Sequence, residues 1–231
     1  MKPRKLICAA MACLMVAPLA FAGLLDSISS GDASQALRDS LTKGAKNVVS
    51  RLGKQDGFFA DAKLKIDLPR NFKTAERFLR SLGQGKQVDA LILASNRAAE
   101  AASAKAEPLL VDAVKKMTLD DAKTILTSGE GSATAYFRKA TEADLTAQFK
   151  PVIAGVTEQS GLAKAYDGMT GTLSRYGGFI RQDKLTTVED YVTRKALDGI
   201  YLSIAEEEKA IRADPARYAG SLIGKVFGAL K

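Results

Sequence analysis

Three consecutive glutamates, Glu206-Glu207-Glu208, sit where apolar residues recur at helical spacing, so a packed helix cannot leave all three in water. With about 100° of rotation per residue and Ile204 at zero, Leu197 falls near +20°, Ile200 near −40°, Tyr201 near +60° and Ile211 near −20°. Glu208 falls at about +40°, inside this stripe, Glu207 at about −60°, on its edge, and Glu206 at about 200°, where it should be solvated. A buried carboxylate without a partner costs on the order of several kcal/mol, so Glu208 needs a cation, an amide donor or a proton. The same construction from Ile92 turns Asn96 inward at about +40°. Asn96, Arg97 and Arg138 are the candidate partners. With Glu208 they form a candidate polar cluster that binds a ligand or cation in a helical core, or that only fixes helix register. Arg212, four residues after Glu208, offers a further arrangement, an ion pair within one helix.

Other chemistry is constrained by what the chain lacks. It has no histidine, and its two cysteines, Cys8 and Cys13, both lie near the N-terminus. Serine–histidine catalysis and imidazole-bound metals are therefore excluded, and no acids show a recognisable ligand spacing. Asp120 and Asp121 lack the alternating ligands and central glycine of a calcium loop. Ser40-Leu41-Thr42-Lys43 matches S-x-x-K formally but stands alone, and Gly168-Met169-Thr170-Gly171 lacks the ending of a phosphate loop. A pair of carboxylates acting on glycan or phosphoester is the enzyme alternative, although nothing selects a pair among the 26 acids.

The elements that must position these residues are helices. Asp32 opens an amphipathic helix with Leu37, Leu41, Ala45, Val48 and Leu52 on one face, stopped by Gly53. Lys54 to Leu68 is a connecting segment in which Leu64, Ile66 and Leu68 alternate, a pattern that also suits a short strand. Pro69 opens a helix with Phe72, Ala75, Leu79 and Leu82 on one face, closed by Gly83. Further helices are expected from about Lys86 to Ala106 and from Pro108, where Leu110, Ala113, Val114 and Met117 are in register. Thr118 with Asp121 resembles a capping box. Tyr136 and Phe137 mark a short helix, and Thr141 with Asp144 a fresh start that kinks at Pro151. Asp167 to Thr187, rich in glycine, reads as a mobile loop, and Thr187 to Asp214 as a long helix. Ser221 to Leu230 forms a short final helix, docked on the core or, with Lys225 and Lys231, on a membrane surface.

The N-terminus reads as an export signal. Met-Lys-Pro-Arg-Lys precedes an apolar run from Leu6 to Leu19, which is shorter than the roughly 20 residues of a membrane span. Ala20-Phe21-Ala22 then gives an A-x-A exit. Cleavage after Ala22 leaves residues 23–231 as one helical domain; lipoprotein processing at Cys13 is the minor alternative. The leader holds three of the 34 basic residues and none of the 26 acidic ones, so the processed chain carries a net charge of +5. That mild excess suits anionic envelope surfaces such as lipopolysaccharide or phospholipid headgroups. Basic residues interleaved with acids throughout argue against a nucleic-acid partner. Apolar residues make up 46% of the chain, aromatics 6%, and tryptophan is absent, as in helices packed closely through alanine.

Four segments carry a resemblance: Asn96-Arg97-Ala98-Ala99-Glu100, Tyr136-Phe137-Arg138, Lys195-Ala196-Leu197-Asp198-Gly199, and Ala205 to Arg212 with its glutamate run. In these the chain resembles the bacterial domain-of-unknown-function family 4197, over nearly all of its processed length. The resemblance implies an exported helical protein and supplies no activity, cofactor or catalytic residue. The expectation is an all-α, irregular multi-helix bundle behind a cleavable signal peptide. It is expected to need no cofactor or metal, not to span the membrane once processed, and to be a non-enzymatic periplasmic protein. Its partner would be an envelope component such as a lipid, another apolar ligand, or a protein. The sharpest form of this expectation is an apolar cavity between helices with Asn96, Arg97, Arg138 and Glu208 at its polar end.

Overall fold

Leu37, Leu41, Ala45, Val48 and Leu52 are all buried along α1 (Ser30–Leu52), so the apolar stripe expected of the first helix is its core face. The computed structural model describes residues 30–161, 164–168, 171 and 187–214, and every regular element among them is helical. The expected leader, most of the glycine-rich stretch and the final helix lie outside the described residues. A 3-10 turn (Arg70–Phe72) leads into α2 (Lys73–Ser81), followed by α3 (Gly85–Ser103), α4 (Glu107–Lys116), α5 (Leu119–Thr127), α6 (Ser132–Gln159) and α7 (Val188–Ala213). None of the described helices is long and apolar enough to cross a membrane.

Local signals explain the boundaries. Thr118 accepts from the Asp121 backbone N–H at 3.1 Å while Asp121 accepts from the Thr118 N–H at 3.0 Å, a complete capping box for α5. These hydrogen bonds hold the Asp121 carboxyl below its ordinary pKa. Thr187 caps α7 through the Asp190 N–H at 3.1 Å. Gly83 closes the turn after α2 with φ +77, a left-handed conformation that suits glycine.

Two expectations fail. Thr141 does not start a helix, because α6 runs unbroken through it and through Pro151. Its hydroxyl donates back to the Phe137 carbonyl at 2.7 Å and meets the Tyr201 hydroxyl at 3.1 Å, so it serves the helix interior and its α7 neighbour instead of a cap. Leu82 does not continue a buried face with Phe72; it ends α2 and is 58% exposed, while Phe72 is fully buried. The reason is that α2 packs chiefly on α3, at the margin of the bundle.

The centre of the bundle is α7, which packs on α1, α3 and α6. Its Gly199 is fixed by a close approach, since a Cβ there would lie 2.5 Å from Cε1 of the fully buried Phe58. Gly199→Ala should therefore destabilise the protein by about 1–3 kcal/mol, read from the urea midpoint, and Phe58→Leu in the same chain should recover part of that loss. An unchanged midpoint for Gly199→Ala would show that the ring has room to move.

Candidate functional site

Glu208 is buried, as its place in the stripe requires, with 4% exposure. Its partners, however, are not Asn96, Arg97 or Arg138. Its carboxylate accepts from the Ala133 N–H at 3.2 Å, the Thr134 N–H at 3.0 Å and the Thr134 hydroxyl at 2.8 Å, and from Arg212 at 3.0 and 3.1 Å. These backbone donors are the open N-terminus of α6, whose own N-cap position is Gly131 with no side chain to offer. A glutamate from α7 thus caps α6 from outside. Arg212 also reaches the Ile125 carbonyl and the Ser132 hydroxyl, both at 2.8 Å, which ties the end of α5 into the same junction. The two cavities beside Glu208 are about 10 Å³ each, and neither is lined by Asn96, Arg97 or Arg138. Each has room for one water at most, so neither is a lipid-sized chamber.

Its neighbours in the run serve other elements. Glu207 accepts from Asn47 of α1 at 3.0 Å. Glu206, expected to be solvated, keeps 40% of its side chain exposed and pairs there with Lys63 at 2.7 Å, a contact that raises the lysine pKa. The turn at Lys63 opens the non-helical segment before α2, and that segment leads to the site.

Asn96 is fully buried and bonds to one peptide of that segment on both sides. The Ile66 N–H donates to Asn96 Oδ1 at 2.9 Å, and Asn96 Nδ2 donates to the Ile66 carbonyl at 2.9 Å and to the Ile92 carbonyl at 2.7 Å. The side-chain amide does the work of an adjacent strand, so the alternation from Leu64 to Leu68 needs no ladder. Glu100, which the sequence reading missed, is also buried and accepts from the Phe58 and Phe59 N–H groups at 3.1 and 3.2 Å. Arg97 holds it with a 2.6 Å bond and reaches Asp56 at 2.7 Å. Arg138 lies elsewhere, 4.4 Å from the centre of the Tyr201 ring, with Glu142 at 3.3 Å and Asp198 at 3.9 Å. The sequence signal for Glu100 was its place on the margin of the α3 stripe, three residues after Arg97.

Pinned in this way, residues 63–70 form one wall of an open cleft of about 580 Å³, and α7 forms another. The volume lies in the range of small-molecule sites. Leu64, Ile66 and Leu68 turn inward, which leaves Lys63, Lys65 and Asp67 outward. Arg70 and Lys73 continue the rim, and Arg194 and Lys195 face it from α7. Six cations thus line the cleft against two acids, Asp67 and Asp198. Lys63 is paired with Glu206 and Asp198 has Arg138 nearby, but Lys65, Arg70, Lys73, Arg194 and Lys195 are salt-bridged to no described residue.

Two tyrosines complete the lining. Tyr191 donates its hydroxyl to the Asp67 carbonyl at 2.8 Å, a second anchor for the wall. Tyr166 stacks on Phe72 with ring centroids 4.7 Å apart, and burial pushes its pKa up to about 12. Both phenols stay protonated at neutral pH. Among the described residues no three acids or thiols gather where a metal ion could sit. The six cations of the lining can hold an anion by charge.

The model of the family described as a protein of unknown function, DUF4197, matches residues 27–228. The chain belongs to this family. No curated protein and no solved structure shows a significant match to it. In this DUF4197 chain the four segments that carried the resemblance sort by contact. Asn96 to Glu100 holds the non-helical stretch before α2 at Ile66 and at Phe58 and Phe59, Tyr136 to Arg138 braces α6 against α4 and α7, Lys195 to Gly199 lines the cleft, and the glutamate run joins α7 to its neighbours.

Replacing Asn96 with Leu strands the Ile66 peptide, and loss of one buried bond set should cost about 1–3 kcal/mol in urea unfolding. Amide exchange at Ile66 should accelerate more than exchange in α6. Glu208→Ala, which leaves Arg212 and the α6 terminus uncompensated, should cost about 3–5 kcal/mol without changing exchange at Ile66 selectively. Equal effects of both variants on Ile66 would mean that the wall is not held by Asn96.

Proposed function

We propose that this protein is a non-enzymatic binding protein of the cell envelope that holds an anionic component in the cleft between residues 63–70 and α7. The observation that carries the reading is the set of five cations, Lys65, Arg70, Lys73, Arg194 and Lys195, that line one depression without a carboxylate partner among the described residues. Clustered like charges repel one another in the empty protein, and an anion relieves that repulsion. Arginine adds a planar fork that suits phosphate or carboxylate. The envelope address comes from the leader-like N-terminus and stands as part of the proposal. On this reading Asn96 is a positioning residue that holds the wall carrying Lys63 and Lys65, while Arg97 and Glu100 fix the turn at Phe58 and Phe59 that precedes it. Arg138, beside Asp198, positions an acid of the rim, and Glu208 secures the helix behind it.

Inositol hexakisphosphate is a soluble probe of this site. It should bind in calorimetry with an affinity that falls steadily as sodium chloride rises, and it should raise the melting temperature. Arg194→Glu should weaken binding at least about tenfold, equivalent to about 1.4 kcal/mol, while the exposed Lys209→Glu on the same helix should change it little. Equal affinity in wild type and Arg194→Glu would falsify the assignment of the cleft.

A further inference from the structure

We infer that the anion taken by the cleft is the phosphate of a lipid headgroup in a bilayer, and that α2 is the element that enters the bilayer surface beside it. The inference rests on the anion-binding reading of the cleft and adds the source of the anion. Lys73 is both a cleft-rim residue and the first residue of α2, and Arg70, also on the rim, opens the 3-10 turn that leads into it, so the helix leaves directly from the charged depression. Along α2, with about 100° per residue, Lys73, Arg77 and Arg80 fall within about 60° of one another, while Phe78 and Leu82 fall on the opposite side, about 40° apart.

Phe78 is 53% and Leu82 58% exposed. Among the described phenylalanines Phe58, Phe72, Phe137 and Phe149 are buried and Phe59 packs partly on the core, so Phe78 alone is turned outward. Leu202, 41% exposed, lines the cleft itself and adds an apolar side chain at the charged rim.

Charge decides between occupants of this face. The one acid on α2, Glu76, is taken by Arg80 at 3.0 Å, and Arg80 also holds Asp89 at 2.8 Å. Lys73 and Arg77 have no salt bridge to a described residue, and neither do Lys65, Arg70, Arg194 and Lys195 of the rim. Across α2 the surface therefore offers apolar side chains on one side and unneutralised cations on the other. An anionic bilayer has the matching order, phosphates above hydrocarbon, and long basic side chains reach its headgroups while a phenyl ring sits below them. An acidic protein surface would meet the cations but leave Phe78 and Leu82 without an apolar counterpart.

The test uses the full processed chain and two probes. In sedimentation, vesicles of phosphatidylglycerol with phosphatidylethanolamine should retain the protein at low salt, and phosphatidylcholine vesicles should not. The double variant Phe78→Ser with Leu82→Ser changes only exposed positions. It should lose at least about tenfold in vesicle affinity and keep its affinity for inositol hexakisphosphate. Arg194→Glu should weaken both. Three results overturn the bilayer inference and leave the cleft standing: hexakisphosphate binds and anionic vesicles do not; the double variant keeps its vesicle affinity; or the wild type is a dimer that the double variant dissolves, which makes this face a contact between copies. Failure of both probes to bind overturns the cleft reading as well.

Discussion

Buried backbone outside a helix or sheet must find a partner for each peptide group, and in this protein that requirement falls on the side chains of α3. Asn96 satisfies both polar groups of Ile66, and Glu100 takes the N–H groups of Phe58 and Phe59. Without the Asn96 contacts, the stretch around Ile66, which has no helix or sheet to bond to, would have little reason to lie along α7. The cleft is the space left beside that stretch, so its shape depends on one polar residue that sits behind its wall. Tyr191 and Glu206 secure the same segment from the α7 side, through Asp67 and Lys63.

Helical period made much of the fold legible. The stripes of α1, α4 and α7, the capping box at Thr118 and the start of a long helix at Thr187 follow from residue type and spacing alone, as does the burial of Glu208. The partners of that glutamate do not follow, because a rotation angle says which way a side chain points and nothing of what lies across the gap. Its donors come from Ala133 and Thr134, more than seventy residues earlier in the chain. The same limit hid the pairing of Glu206. Thr141 misled for a different reason: a threonine three residues before an acid looks the same whether it caps a helix or bonds back to the preceding turn.

The cleft was harder to read, since its cations come from two places far apart in sequence, 63–73 and 194–195, and nothing in either stretch says that they meet. One clue was present. In Lys63 to Leu68 the alternation of charged and apolar residues puts every charge on one side, and an alternating stretch that is not a strand must use that side for something else. Glu100 stood at the margin of its stripe, where a carboxylate can turn either way until the neighbouring segment is known.

The glutamate run has a further consequence. Glu206, Glu207 and Glu208 project from α7 in three directions, toward the extended wall, α1 and α6. A single-residue insertion or deletion upstream of the run would swing all three by about 100° and shift them about 1.5 Å along the axis. Every anchor would then miss together, with Gly199 carried away from Phe58 if the change fell before it. Substitutions can be absorbed one at a time along this helix, but its length between Thr187 and Arg212 cannot drift. Change in chain length across evolution should therefore collect in the connections and spare α7.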